Sequence, residues 1–128
     1  MEILTTKGIT IMVETQYLPE HSNPREHRFI FGYHITIKNG SDYTVQLMRR
    51  HWFIYDATGN IREVEGEGVI GLQPVLKPGE THEYASYCDL PTDMGKMHGA
   101  YLMNCHDDDS FFQVAIPLFK LYDPAKLN

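Results

Sequence analysis

The sequence predicts an all-β chain folded as an antiparallel β-sandwich. Three observations carry this. Apolar and polar residues alternate along several runs, the period of a strand with one buried face. Clusters of Gly, Pro, Asn and Asp separate those runs at regular spacing, as the turns of a sandwich do. No segment longer than a turn or two shows the 3.6-residue period of an amphipathic helix.

Each element follows in order. Ile9, Ile11, Val13 and Tyr17 stay in phase around Thr10, Met12 and Glu14. Phe29, Phe31, Tyr33, Ile35 and Ile37 form the cleanest alternation, with His34 on the outward face. Asn39-Gly40-Ser41-Asp42 then supplies turn residues that tolerate positive φ. The next strand runs from Tyr43 to Asp56 and changes phase: Val45 and Leu47 are odd, Trp52 and Ile54 even. The slip near Arg49-Arg50-His51 predicts a bulge. Asp56 to Asn60 is a hairpin turn with Gly59 in a left-handed position, and a short strand follows through Val64. After a glycine-rich loop, Pro78-Gly79 suits the centre of a type II turn before a strand from Thr81 to Cys88. Met97–Asn104 and Phe111–Pro117 pair across the tip His106-Asp107-Asp108-Asp109-Ser110. The tail from Tyr122 to Asn128 has room for a frayed turn. That makes seven or eight short strands in a single domain, residues 1–128.

Composition narrows the function. With 42% hydrophobic residues, the chain can bury one core. Its net charge is −6, and its basic residues cluster no further than Arg49-Arg50, so no nucleic-acid surface is expected. No apolar run approaches a membrane span, and Met1 opens no signal peptide, so a cytoplasmic location is expected. Cys88 and Cys105 read as free thiols of a reducing compartment.

Gly66-Glu67-Gly68-Val69-Ile70-Gly71 has the G-x-G-x-x-G spacing of a dinucleotide-binding turn. That turn works only where a buried strand enters it and a helix starts on it. Here a short alternating strand precedes it, and Pro74 and Pro78 follow, leaving no room for a helix. Glu67 would also repel a phosphate. The glycines are equally explained by a tight crossover, or by close backbone approach to a partner.

Arg49-Arg50-His51-Trp52 is the second constellation. Alternation puts Arg50 with Trp52 on one face and Arg49 with His51 on the other. An arginine beside an aromatic ring is an anion or interface site; the structural alternative makes Trp52 a core residue and pairs the arginines with Glu63, Glu65 or Glu67. The run His106-Asp107-Asp108-Asp109 offers cation ligands but matches no metal motif, and reads first as a solvated turn. The seven histidines form no H-x-H or H-x-x-x-H pair. No G-x-S-x-G elbow is present, and nothing near Cys88 would lower its pKa, so no catalytic residue and no cofactor are expected.

These motifs, taken in order, resemble the ApaG family of small bacterial proteins linked with cobalt and magnesium efflux. The resemblance runs through Val45-Gln46-Leu47, Arg50-His51-Trp52, Gly59, Glu63-Val64, the glycine hexapeptide, Gln73-Pro74, Pro78-Gly79-Glu80, Tyr84, Ser86, Cys88, Gly99, Tyr101 and Ile116-Pro117. The chain departs from the family at Asp107-Asp108-Asp109-Ser110, where an Asp-Gly-type turn is usual. The resemblance implies a fibronectin type III-like or immunoglobulin-like sandwich and an interaction module, with no catalytic residues to carry over. The expected function is therefore non-enzymatic binding of an unidentified protein partner, connected with cobalt and magnesium resistance or efflux. The expected surface is Arg49, Arg50, His51, Trp52, Gly66, Glu67, Gly68 and Gly71. Alternatives are a phosphate, nucleotide or other small anion at the glycine loop, or direct divalent-cation binding. The chain is expected to be a monomer or a homodimer.

Overall fold

A computed structural model of the chain describes residues 1–127. The strands are β1 (Glu2–Thr6), β2 (Ile9–Tyr17), β3 (Phe29–Asn39), β4 (Val45–Asp56), β5 (Ile61–Glu67), β6 (Val75–Leu76), β7 (Thr81–Leu90), β8 (Met94–Cys105) and β9 (Ser110–Tyr122). Single 3₁₀ turns lie at Pro19–His21, Pro24–Glu26 and Pro124–Leu127. The last of these is the turn expected in the tail, whose final residue, Asn128, lies outside the described residues. Among the described residues no helix is long and apolar enough to cross a membrane.

The strands form two antiparallel sheets, one ordered β1-β2-β3-β7 and the other β5-β4-β8-β9, with β6 beside the start of β4. Inward residues of both sheets, among them Phe31, Ile35, Leu47, Tyr101, Met103 and Leu121, make one core with essentially no exposure. The fold is the expected sandwich, with β1 added. That strand was invisible to pattern because it is a short edge, exposed along nearly its whole length. Both cysteines are free and buried.

Two features of β4 position everything that follows. Its register against β8 shifts between Leu47 and Arg49, so Met48 is the extra residue of a bulge. The shift turns the even positions inward, and Arg50 joins Trp52 and Ile54 on the core side. β1 and β2 lie against β9 at one side of the sandwich. On the opposite side the edges of β5 and β7 face each other. There Arg62 of β5 spans to β7, pairing with the Asp89 carboxylate at 3.4 Å and donating to its carbonyl at 2.9 Å.

The segment after β3 departs from expectation. None of Asn39, Gly40, Ser41 and Asp42 has positive φ. The connection is held instead by Asn39, fully buried, whose Nδ2 donates to the carbonyls of Tyr43 (2.7 Å) and Leu76 (2.9 Å). Its Oδ1 accepts from the amide (3.0 Å) and hydroxyl (2.6 Å) of Ser41.

Candidate functional site

The glycine loop closes the gap between the β5 and β7 edges. The bulge anchors it: the Met48 carbonyl accepts from the Gly68 amide (2.9 Å) and from Gln73 Nε2 (3.0 Å). Gly68 has φ +62°, and a Cβ there would collide with the Leu72 carbonyl, so only glycine fits. At Gly66 a side chain would instead displace Arg50. The Arg50 guanidinium lies flat over it, and a Cβ would sit 2.8 Å from both terminal nitrogens.

From this seat Arg50 Nη1 donates to the carbonyls of Glu67 (2.9 Å) and Gly68 (3.1 Å). The arginines thus make no ion pairs with Glu63, Glu65 or Glu67, contrary to the structural alternative; Arg50 takes main-chain carbonyls, and Arg49 stands exposed.

Val69 to Leu72 forms a two-residue hairpin turn. The Val69 amide donates to the Leu72 carbonyl (2.8 Å), and the Leu72 amide to the Val69 carbonyl (3.0 Å). The two central residues, Ile70 (φ +47°) and Gly71 (φ +74°), are both left-handed. Such turns favour Asn-Gly, and a β-branched residue at positive φ is a genuine outlier. Val69 is buried and pins the loop, whereas Ile70 at its tip is 61% exposed. Leu72 and Val75 beside it are exposed as well.

Under this turn is a cavity of about 250 Å³, lined by Tyr33, Arg50, Trp52, Glu67, Tyr84 and Ser86 with residues 69–71 as its roof. Trp52 supplies a wall rather than an exposed anchor. It is 3% exposed, edge-on to Tyr33 (5.5 Å), Tyr101 (6.5 Å) and Phe119 (5.8 Å). The expectation of Trp52 as a surface residue is corrected accordingly: the bulge that turns Arg50 inward carries Trp52 into the core. Tyr84 and Tyr101 share a hydroxyl–hydroxyl hydrogen bond of 2.5 Å. Burial raises the pKa of Tyr33, Tyr84 and Tyr101 above the ordinary phenol value. Burial likewise pushes the Cys88 thiol up to about 11, although the Arg62 charge opposes it.

His51 points the other way, onto the outer face of the β4–β5 ladder. Its Nε2 lies 2.5 Å from Glu63 and 3.2 Å from Glu65, and its ring packs on Phe53 at 4.6 Å. Among the described residues this is the group that brings three ligating side chains together, their donor atoms within 4.8 Å of one another.

The tip at residues 106–109 does not gather into such a site. His106 bonds Gln46 (2.8 Å), Asp107 accepts from the Thr44 amide (3.2 Å), and Asp109 accepts from Asn104 (3.0 Å). Asp108 accepts from Ser110, whose hydroxyl and then amide hold its carboxyl below the usual carboxylate range. Each of these side chains serves the turn or its neighbours.

The structure therefore divides the expected surface between two faces. Arg50, Trp52, Gly66, Glu67, Gly68 and Gly71 gather at the inter-sheet edge, and His51 sits on the outer face, as does the exposed side chain of Arg49. Sequence reading missed Tyr33, Tyr84, Ser86 and Ile70. Tyr84 and Ser86 were findable, since they alternate in phase with buried Cys88 on β7.

The chain as a whole is similar to known proteins. The family described as the ApaG domain matches residues 19–105. Protein ApaG of Sinorhizobium fredii is 48% identical over 120 residues, covering 94% of this chain and 92% of that protein. Protein ApaG of Brucella abortus is 47% identical over 121 residues, with the same coverages. Among solved structures, the putative ApaA protein from Bordetella pertussis superposes with a TM-score of 0.88 at 40% identity, covering 91% of this chain and 94% of that one. By family match, by sequence identity over nearly its whole length and by fold, this chain belongs to the ApaG family.

Proposed function

We propose that the chain is a non-enzymatic interaction module that docks a protein partner on the glycine-loop edge of the sandwich, and that this partner links it to cobalt and magnesium resistance or efflux. The observation that carries this is Ile70. A left-handed isoleucine costs about 1–3 kcal/mol where Asn or Gly would cost little. Its side chain, 61% exposed, returns none of that through core packing. Strain kept at an exposed apolar tip is the mark of a contact residue. Leu72 and Val75 extend the apolar surface, and the Arg50 bonds and the Met48 carbonyl hold the loop in one shape. The raised pKa values of Cys88 and the three tyrosines are the opposite of what a nucleophile or general base requires, which supports a binding role. Free buried thiols suit work in the cytosol.

The test is Ile70→Asn, because asparagine tolerates left-handed φ and is polar. The variant is expected to be more stable by about 1 kcal/mol, yet to lose partners that the immobilised parent captures from a lysate of its source organism. Leu118→Ser, an exposed position on β9, serves as the control and should retain them. Capture unchanged by Ile70→Asn sinks the reading.

A second reading, direct divalent-cation binding, is favoured by His51, Glu63 and Glu65. One imidazole nitrogen with two carboxylate oxygens is a donor set that borderline first-row cations accept. Titration with cobalt(II) should produce a visible absorption band that disappears in Glu63→Gln/Glu65→Gln. A parent chain that gives no band, or a double variant that keeps it, removes this reading.

A further inference from the structure

Arg50 uses only part of its donor set. Nη1 is taken by the Glu67 and Gly68 carbonyls, while Nη2 and Nε have no protein acceptor among the described residues. Nor does any carboxylate among the described residues pair with it, although Arg62, on the same inter-sheet edge, has Asp89. A guanidinium drawn partly out of water without a counter-charge is costly, and the Nε/Nη2 edge is the one that meets two carboxylate oxygens side by side. Arg50 lines the cavity under the Val69–Leu72 turn together with Tyr33, Tyr84 and Ser86.

We infer that this cavity is a carboxylate-binding anchor: it receives the side chain of an Asp or Glu that a partner protein presents between apolar neighbours. The inference deepens, and rests on, the docking surface proposed above. Three observations favour a protein carboxylate over a phosphate. The Gly68 and Val69 amides, which a phosphate cradle would need, are already spent on the Met48 and Leu72 carbonyls. One guanidinium matches a single negative charge, and Glu67 at the cavity wall opposes a second. Exposed Ile70, Leu72 and Val75 beside the opening suit apolar residues flanking the acid.

The experiment follows the Arg50 Nε–H signal and the amides of residues 66–72 by NMR in the full ¹⁵N-labelled chain. Three probes are titrated: N-acetyl-Val-Glu-Val-amide, its Gln analogue, and inorganic pyrophosphate. The Glu peptide should shift these signals saturably at millimolar concentration. The Gln analogue should bind at least ~10-fold more weakly, the loss expected when a charge-assisted bond becomes a neutral one. Arg50→Lys, which keeps the charge but not the fork, should weaken the Glu peptide. Because that change also disturbs the loop carbonyls, Glu67→Gln provides a second arm. It leaves every Arg50 bond in place, removes a competing negative charge, and should tighten the Glu peptide several-fold.

Equal binding of the Glu and Gln peptides overturns the inference. So does tighter binding of pyrophosphate at the same signals, or an Arg50 signal that the Glu peptide moves in neither the parent nor Glu67→Gln. Those results leave the docking surface standing, because it is judged separately by Ile70→Asn. Loss of the surface in that test with a positive peptide titration would instead mark a small-molecule carboxylate site.

Discussion

Trp52→Ala is expected to lower the unfolding free energy by about 3–5 kcal/mol, read from urea denaturation at neutral pH. The indole is 3% exposed and central to the inter-sheet packing. Its neighbours Tyr33, Tyr101 and Phe119 meet it edge to face, an arrangement worth about 0.5–1.5 kcal/mol per pair beyond burial alone. β4 is paired on both sides at Trp52, with Val64 of β5 and Gly99 of β8, which limits collapse into the void. The Tyr101 hydroxyl is tied to Tyr84, which further limits relaxation. A loss below ~1 kcal/mol would mean that the ring is not a keystone of the core. The same variant removes a wall of the Arg50 cavity, so binding by this variant carries no information about the anchor.

The second large effect belongs to Asn39→Ala, expected to cost about 2–4 kcal/mol in the same measurement. The side chain makes four hydrogen bonds, two given to carbonyls and two received from Ser41. At 0% exposure no water replaces the lost donors, and the Tyr43 and Leu76 carbonyls each lose a bond from the side chain. The main chain adds to the effect: the Asn39 amide donates to Glu80 (2.9 Å), and its carbonyl accepts from Gly79 (2.7 Å). One residue therefore ties the end of β3 to β6 and to the turn before β7. Asn39→Ser, which keeps a smaller donor and acceptor, should lose less. Equal stability of Asn39→Ala and parent would show that the turn is held by its main chain alone.

The sandwich itself was legible because period-two alternation is a local signal. Phe31 to Lys38 displays it without interruption, and the phase slip in β4 located the bulge to within a residue or two. The site was legible only in part. Arg50, Gly66 and Gly68 announced themselves by type and spacing, yet their relation did not: that Gly66 is small because a guanidinium lies on it is a fact about two strands. Tyr33 and Tyr84 enter from the opposite sheet, and pairing between sheets leaves no periodic trace in either strand. Asn39 reads in sequence as one more turn residue; only its burial makes it a hub. Ile70 was unreadable for a subtler reason. Its place in the turn calls for Asn or Gly, so the residue that matters is the one local chemistry would have argued against.

The bulge at Met48 has the character of a counting device. One additional peptide unit decides which alternate residues of the following strand look inward, and so which side of the sheet receives a guanidinium and an indole and which an imidazole. Pair the same residues without that two-against-one step and the two sets trade places, sending Arg49, His51 and Phe53 into the core while Arg50 and Trp52 face water; delete Met48 itself and regular alternation leaves Arg50 and Trp52 inward. Change its side chain and the parity is untouched. What sets both faces is the two-against-one pairing at this point, and each takes its chemistry from it.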